Sequence, residues 1–265
     1  MLPLDVCPLV PLLETTSLAG IHSSATAEWR IRPVGERLLV IESSAVPCAA
    51  LSRRLGGLAA YLIECQARGG LPGVSDIVPA LASIGVHYRA WQMADDPAHS
   101  TPFAALSARL VALLGNAGSA ASRPARLIEV PVCYGGEFGP DLATAAADCG
   151  LSEAELIALH GAEVTVLMLG FAPGHPYLGH YDERLALPRR RVPRTRVAAG
   201  SLGLANRQSV IYPQVLPGGW SLIGRTPWRL FDPRAEPACR LRTGDRVRCV
   251  PIDAATFFAL QEAQP

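Results

Sequence analysis

Between Gly170 and Trp228 the chain crowds glycine and proline among Tyr177, Tyr181, Tyr212, Trp220 and Trp228, and it places seven arginines between Arg184 and Arg207. Glycine opens φ > 0 and close backbone approach, whereas proline fixes φ and removes a donor. Interleaved with aromatics, the two describe rigid, shaped loops between short strands rather than a flexible linker. Loops of this kind on a firm scaffold are where binding sites usually lie. Tight β-turns with no ligand would leave the same pattern, and the residues alone leave both readings open.

The rest of the chain narrows the class. A length of 265 residues can bury one large core or two modest ones, and the turn-rich second half favours two. A formal net charge of +1 calls for neither nucleic acid nor a membrane surface. All 24 basic residues are arginine. Without lysine there is no Schiff-base lysine, no lysine general base and no complete GxxxxGK[ST] phosphate loop. The seven cysteines form no CxxC pair and resemble neither a disulfide framework nor a zinc site, so reduced thiols in a cytoplasmic protein are expected. The N-terminus fits a signal peptide poorly, because Asp5, Pro8 and Pro11 interrupt its apolar run. Apolar runs are too short to span a membrane.

Four segments follow from the patterning. Residues 1–27 are expected to form a poorly ordered extension. An α+β unit is expected over 28–115: a strand or hairpin at Glu28–Glu42, then a helix at Pro47–Arg68 with Leu51, Leu55, Leu58 and Leu62 on one face. Two strands in Val74–Ala90 and a second helix in Pro97–Leu114 follow. The β-α-β-β run begins a split, ferredoxin-like unit. Residues 116–126 (NAGSAASRPAR) are the linker candidate. Over 127–265 the pattern gives strands at Leu127–Cys133 and Glu163–Leu169, with a short helix at Pro140–Cys149 between them. A second helix opens on the capping box Ser152-Glu153-Ala154-Glu155. Further short β segments near 196–199, 209–212, 221–223 and 246–251 suggest a closed or nearly closed barrel. Ala254–Ala263 is expected to give one helical turn or two.

Several residues are candidates for chemistry, each with a plainer alternative. His175 and His180 lack further ligands at recognisable spacing and read as surface-loop histidines rather than a metal pair. Ala199-Gly200-Ser201-Leu202-Gly203 half resembles a nucleophile elbow, but Ala199 stands at the first glycine and no strand-turn-helix context surrounds it. Ser201 then serves as a hydrogen-bonding hydroxyl. Pro188–Arg196 holds five arginines and no acid. Their forked guanidiniums suit carboxylate and phosphate, although a solvated basic loop has the same composition. Arg225 sits in a tight GRTP turn, where it points into a site or caps a turn carbonyl. Trp220 is a ligand wall or core.

Taken in order, PVCYGGEFGPDL (131–142), LSEAELIALH (151–160), GFAPGHPYLG (170–179), AAGSLGLANRQSVIYP (198–213) and PGGWSLIGRTP (217–227) form a far more specific pattern. It resembles the family of the 5-oxoprolinase B subunit, also described as allophanate hydrolase subunit 1 and including the sporulation-kinase inhibitors. The resemblance covers about residues 28 to 252. It implies a ferredoxin-like N-terminal domain followed by a cyclophilin-like β-barrel. It further implies a C subunit of homologous fold as partner, the pair resembling the halves of a carboxyltransferase domain. With a third, A subunit the assembly would open 5-oxoproline to glutamate at the expense of ATP, the ATP-binding chain being undefined. By position in the motifs, Tyr177, Ser201, Gln208, Tyr212, Trp220 and Arg225 are the implied substrate-binding residues, and none is assigned as acid or base. The chain departs from the family pattern in three places. His175 stands for a phenylalanine, Ala198-Ala199-Gly200-Ser201 for PAGS, and Asn206-Arg207-Gln208-Ser209-Val210 for GxQTG. The resemblance leaves two other functions open: a carboxyltransferase half acting on urea or a related amide, and a binding protein that blocks a histidine kinase.

Overall fold

The structure is a computed structural model that describes residues 29–93, 99, 101–117 and 125–263. The expected extension (1–27) and most of the expected linker lie outside the described residues.

The first unit is built from β1 (Trp29–Val34), β2 (Leu38–Ser43), α1 (Ala49–Ala67), β3 (Val74–Pro79), β4 (Ser83–Tyr88) and α2 (Pro102–Asn116). Its antiparallel sheet has the order β1-β2-β4-β3. This is the ferredoxin-like sheet with the strand that usually comes last moved to the front, so the described part of the expected strand or hairpin, from Trp29 on, folds as a hairpin. Leu51, Leu55, Leu58 and Leu62 are all buried, in one core with Ile31, Leu39, Ile41, Ile84 and Val86 of the sheet and Leu106 and Leu110 of α2. The three-and-four spacing is thus the stripe that holds α1 on the sheet.

The second unit contains β5 (Leu127–Tyr134), α3 (Leu142–Asp148), α4 (Glu153–His160), β6 (Val164–Leu169), β7 (Pro176–Gly179), β8 (Arg194–Val197), β9 (Ser201–Ala205), β10 (Gln208–Ile211), β11 (Leu216–Gly218), β12 (Ser221–Arg225), β13 (Arg246–Pro251) and α5 (Ala254–Glu262). Seven strands close a barrel in the order β10-β7-β6-β13-β5-β12-β9, while β8 and β11 pair as a separate ribbon. The α+β class, with the barrel second, is therefore what the sequence pattern describes. Two barrel strands are absent from that reading. Pro176–Gly179 and Ser201–Ala205 carry the glycines of the organising stretch, yet both are paired along their length.

All seven strands send residues into one apolar cluster, among them Val132, Val166, Leu178, Leu204, Ile211, Ile223 and Val247. That cluster fills the barrel, and Leu142, Ala146 and Leu156 from α3 and α4 join it. The capping box is formed as expected: Ser152 Oγ accepts from the Glu155 amide at 3.2 Å and Glu155 Oε2 accepts from the Ser152 amide at 2.8 Å. At the other end of α4, His160 is fully buried. Its Nδ1 meets Tyr134 Oη at 2.8 Å, its Nε2 meets Ser209 Oγ at 3.0 Å, and its ring stacks on Tyr181 at 4.8 Å. Burial alone brings its pKa down to about 3, so the imidazole is neutral.

Candidate functional site: an aromatic face rimmed by arginine

Strand residues alternate between two faces, so the neighbours of the inward residues point out of the barrel. Ala205 of β9, Val210 of β10 and Leu222 of β12 gather in a second cluster with Val197 of β8 and with Tyr212 and Trp220, which flank β10 and β12; Tyr177 and Leu216 pack against it. Tyr177 and Trp220 meet edge to face at 6.1 Å, and His175 packs against Tyr177 and Tyr212, each at 5.2 Å. Two glycines make the arrangement possible. A Cβ at Gly203 would lie 2.6 Å from Trp220 Cβ, and one at Gly218 would overlap the Tyr212 hydroxyl. Burial raises both phenols against the pull of Arg189, Tyr212 to about 12. Both therefore remain protonated donors at neutral pH.

Arginines rim this face. The Arg189 guanidinium lies over Trp220, 4.8 Å from the ring centroid. Arg194 and Arg190 reach Asp141 Oδ1 at 2.7 and 3.4 Å, and Asp141 Oδ2 accepts from the Leu222 amide at 2.7 Å. Burial pushes the Asp141 carboxyl up, but the Arg194 hydrogen bond, the Leu222 amide and the two guanidinium charges outweigh it and hold it low. One carboxylate thus ties the arginine-rich segment to β12. The segment is partly anchored, not a solvated loop.

Arg225 lies apart. Its Nε donates to the Ala199 carbonyl at 2.8 Å, the turn-capping role open from sequence. It also lines a separate cavity of about 250 Å³, together with Gly200, Thr226, Trp228, Arg229 and Gln261. Among the described residues no carboxylate pairs with Arg225. Ser201 connects the two places: its carbonyl accepts from the Tyr212 amide at 3.0 Å, and in register it faces Arg225. Gln208 begins β10 opposite Gly179 and Ala205.

Of the six sequence candidates, the structure joins Tyr177, Tyr212 and Trp220 in one cluster. It places Ser201 beside them, Arg225 in the neighbouring cavity and Gln208 at the strand entry. Sequence reasoning missed His175, which is 2% exposed rather than on a surface loop. Burial brings its pKa down to about 4. The available signal was its place in the GFAPGHPYLG motif, at a position where the family pattern has a phenylalanine. His180, by contrast, is exposed. Asp141, missed as well, is the acid the arginine segment lacks in sequence and gains only through folding.

Residues 29–241 match the family described as carboxyltransferase domain, subdomain C and D. The chain belongs to this family. Among relatives of this carboxyltransferase-domain chain, the 5-oxoprolinase B subunit of Bacillus subtilis is 36% identical over 240 residues, covering 89% of this chain and 98% of that protein. The 5-oxoprolinase B subunit of Escherichia coli O157:H7 is 39% identical over 219 residues, 82% of this chain and 94% of that one. Among solved structures, TTHA0988 superposes with a TM-score of 0.66 at 32% identity, over 82% of this chain but 40% of that one. The same unit therefore occurs within a longer polypeptide. Kluyveromyces lactis urea carboxylase shares the fold at 17% identity, with a TM-score of 0.60 over 96% of this chain and 24% of that protein.

Proposed function

We propose that the chain is the B subunit of an ATP-dependent 5-oxoprolinase and works on 5-oxoproline only together with the A and C subunits. The observation that carries this reading is the near full-length similarity to proteins named as the B subunit of 5-oxoprolinase. The site chemistry agrees with it. An unstrained lactam resists water, so its oxygen must be made into a leaving group, for which phosphoryl transfer from ATP suffices. Around such a substrate this chain supplies aromatic walls, protonated phenols and guanidiniums suited to a carboxylate or to developing phosphate charge.

No ATP site is assigned to this chain. The chain has no lysine, and its glycine-rich stretch before α3 is packed against the barrel, with Gly139 abutting the Ile223 carbonyl. Nor is any residue assigned as general base: His160 is sealed in the barrel, and His175 belongs to the aromatic face. The site is one-sided and awaits a second polypeptide. Co-expression with the neighbouring subunits should give glutamate from 5-oxoproline with stoichiometric ADP, and the isolated chain should give none. Turnover by the isolated chain would refute the subunit reading.

The family description supports a second reading, half of a carboxyltransferase acting on urea or a related amide. Acceleration by carboxybiotin, with urea rather than 5-oxoproline triggering ATP hydrolysis, would select it.

A further inference from the structure

Arg225 ends β12 with a guanidinium that the fold holds along one edge and leaves open at its tip. Nε donates to the Ala199 carbonyl at 2.8 Å, and the guanidinium carbon lies 5.8 Å from the ring centroid of Phe257 on α5. Among the described residues neither Nη atom has a hydrogen bond or a carboxylate. Three rim arginines are placed otherwise: Arg190 and Arg194 share Asp141, and Arg189 lies on Trp220. The cavity of about 250 Å³ that Arg225 lines is shaped largely by backbone. Gly200 holds a φ of 82°, its amide donates to the Tyr212 carbonyl at 2.7 Å, and its carbonyl accepts from the Thr226 amide at 2.9 Å. A Cβ there would overlap the Thr226 carbonyl and lie 3.4 Å from Arg225 Cγ, so glycine lets the loop close on the arginine stem. Pro213, Pro227 and Trp228 add stiff apolar walls, and Gln261 of α5 adds an amide. Arg229, already paired with Asp232 at 3.3 Å, adds a second positive charge. Among the described residues that line the cavity there is no aspartate or glutamate.

We propose that this cavity is a pocket for a small organic carboxylate, bound end-on by the Nη fork of Arg225. With Nε engaged by Ala199, the two Nη atoms present parallel N–H donors in one plane, the geometry a carboxylate accepts bidentately. The guanidinium is already oriented by its turn, so the guest does not have to order it. The volume lies below the roughly 300–1,000 Å³ of drug-sized pockets, which limits the guest to a small acid. Trp228 and the two prolines give its carbon skeleton an apolar surface that inorganic phosphate would not use. The pocket stands on its own geometry, and only the identity of the acid rests on the oxoprolinase reading. On that reading the substrate's carboxylate goes to Arg225 rather than to the rim arginines.

Calorimetric titration of the full chain tests this, with 5-oxoproline, glutarate, 2-pyrrolidinone (the lactam ring without its carboxylate) and inorganic phosphate as ligands. The two acids should bind and compete with each other, and 2-pyrrolidinone and phosphate should give no heat of binding. Arg225→Lys keeps the charge but not the fork and should weaken both acids about ten-fold. Because Arg225 also caps a turn, the exposed Gln261, whose side chain has no hydrogen bond among the described residues, supplies a second handle. Gln261→Glu should weaken both acids about ten-fold and Gln261→Arg should tighten them, opposite effects that a purely structural Arg225 would not produce. If neither acid binds, or if both Gln261 variants bind them as wild type does, the proposal is overturned. Phosphate binding in place of the acids overturns the carboxylate assignment. Binding of glutarate but not of 5-oxoproline keeps the pocket and counts against the oxoprolinase reading instead.

Discussion

His160 shows how a single residue can be indispensable to the fold and silent in chemistry. Its two ring nitrogens are both engaged, by Tyr134 and Ser209, and no polar atom is left for a substrate. Burial holds the folded-state pKa at about 3 against an ordinary 6.5. The unfolded chain therefore binds the proton first, and the stability from keeping this imidazole neutral is complete above pH 6.5 and is lost as pH falls toward 3. Urea midpoints measured between pH 7 and pH 4 should fall steeply for the wild type and less steeply for His160→Gln, whatever the variant's absolute stability. Asp141 acts in the same pH direction for the opposite reason. Its carboxylate is held charged, so its contribution is present above the ordinary carboxylate range of about pH 4 and is lost below it. Asp141→Asn should cost about 3 kcal/mol in chemical denaturation at neutral pH, because it leaves two guanidiniums short of their anion. It should also expose the arginine segment to trypsin.

At the scale of elements, the β9–β10 hairpin governs the face. Its turn residues Asn206 and Arg207 hold φ of 49° and 61°, the left-handed pair that a two-residue turn requires. Carbonyls of Leu187 and Leu185 accept from their amides, and Arg207 Nε donates to the Tyr181 carbonyl at 3.0 Å. Asparagine at the first of these positions tolerates this left-handed conformation. The hairpin's own glycine is less replaceable. Gly203→Ala should destabilise by about 2 kcal/mol, because its methyl group would drive Trp220 off the sheet, and near-ultraviolet circular dichroism should register the tryptophan's displacement. Ser152→Ala at the start of α4 should cost about 1 kcal/mol with the aromatic face unchanged, a control that separates general stability from site geometry.

At the scale of the whole molecule, α1 also docks on the barrel. Gly56 abuts the Thr243 carbonyl, Arg53 Nη1 donates to Thr165 Oγ1 at 3.1 Å, and the Gly244 position lies against the Arg53 backbone. Gly56→Ala would force helix and barrel apart, since the obstacle is backbone rather than a movable side chain. The expected result is faster proteolysis between the two units, with each core intact. Beside this junction lies a cavity of about 510 Å³ with mostly apolar walls, including Ala59, Ile63, Ile77, Leu169 and Leu241. The open edge of the sheet next to it is guarded. On β3, Asp76 Oδ1 accepts from the Ile77 amide at 2.8 Å, and Pro79 has no amide to offer.

The α+β class, the α1 stripe, the α4 capping box and the alternating strands of the barrel were legible in sequence, because each depends on neighbours within a few residues. The ordered motifs likewise identified the family. Strands β7 and β9 were hidden, since glycine and proline speak for turns until partner strands supply the ladder and Trp220 claims the space above Gly203. Only the tertiary structure could place Asp141 against Arg190 and Arg194, some fifty residues away in the chain. It also turned His175 inward against Tyr212, while leaving Arg225 in a cavity of its own. Periodicity and caps are local and can be read along a chain, whereas ion pairs and burial depend on closure of the barrel, which no local window contains.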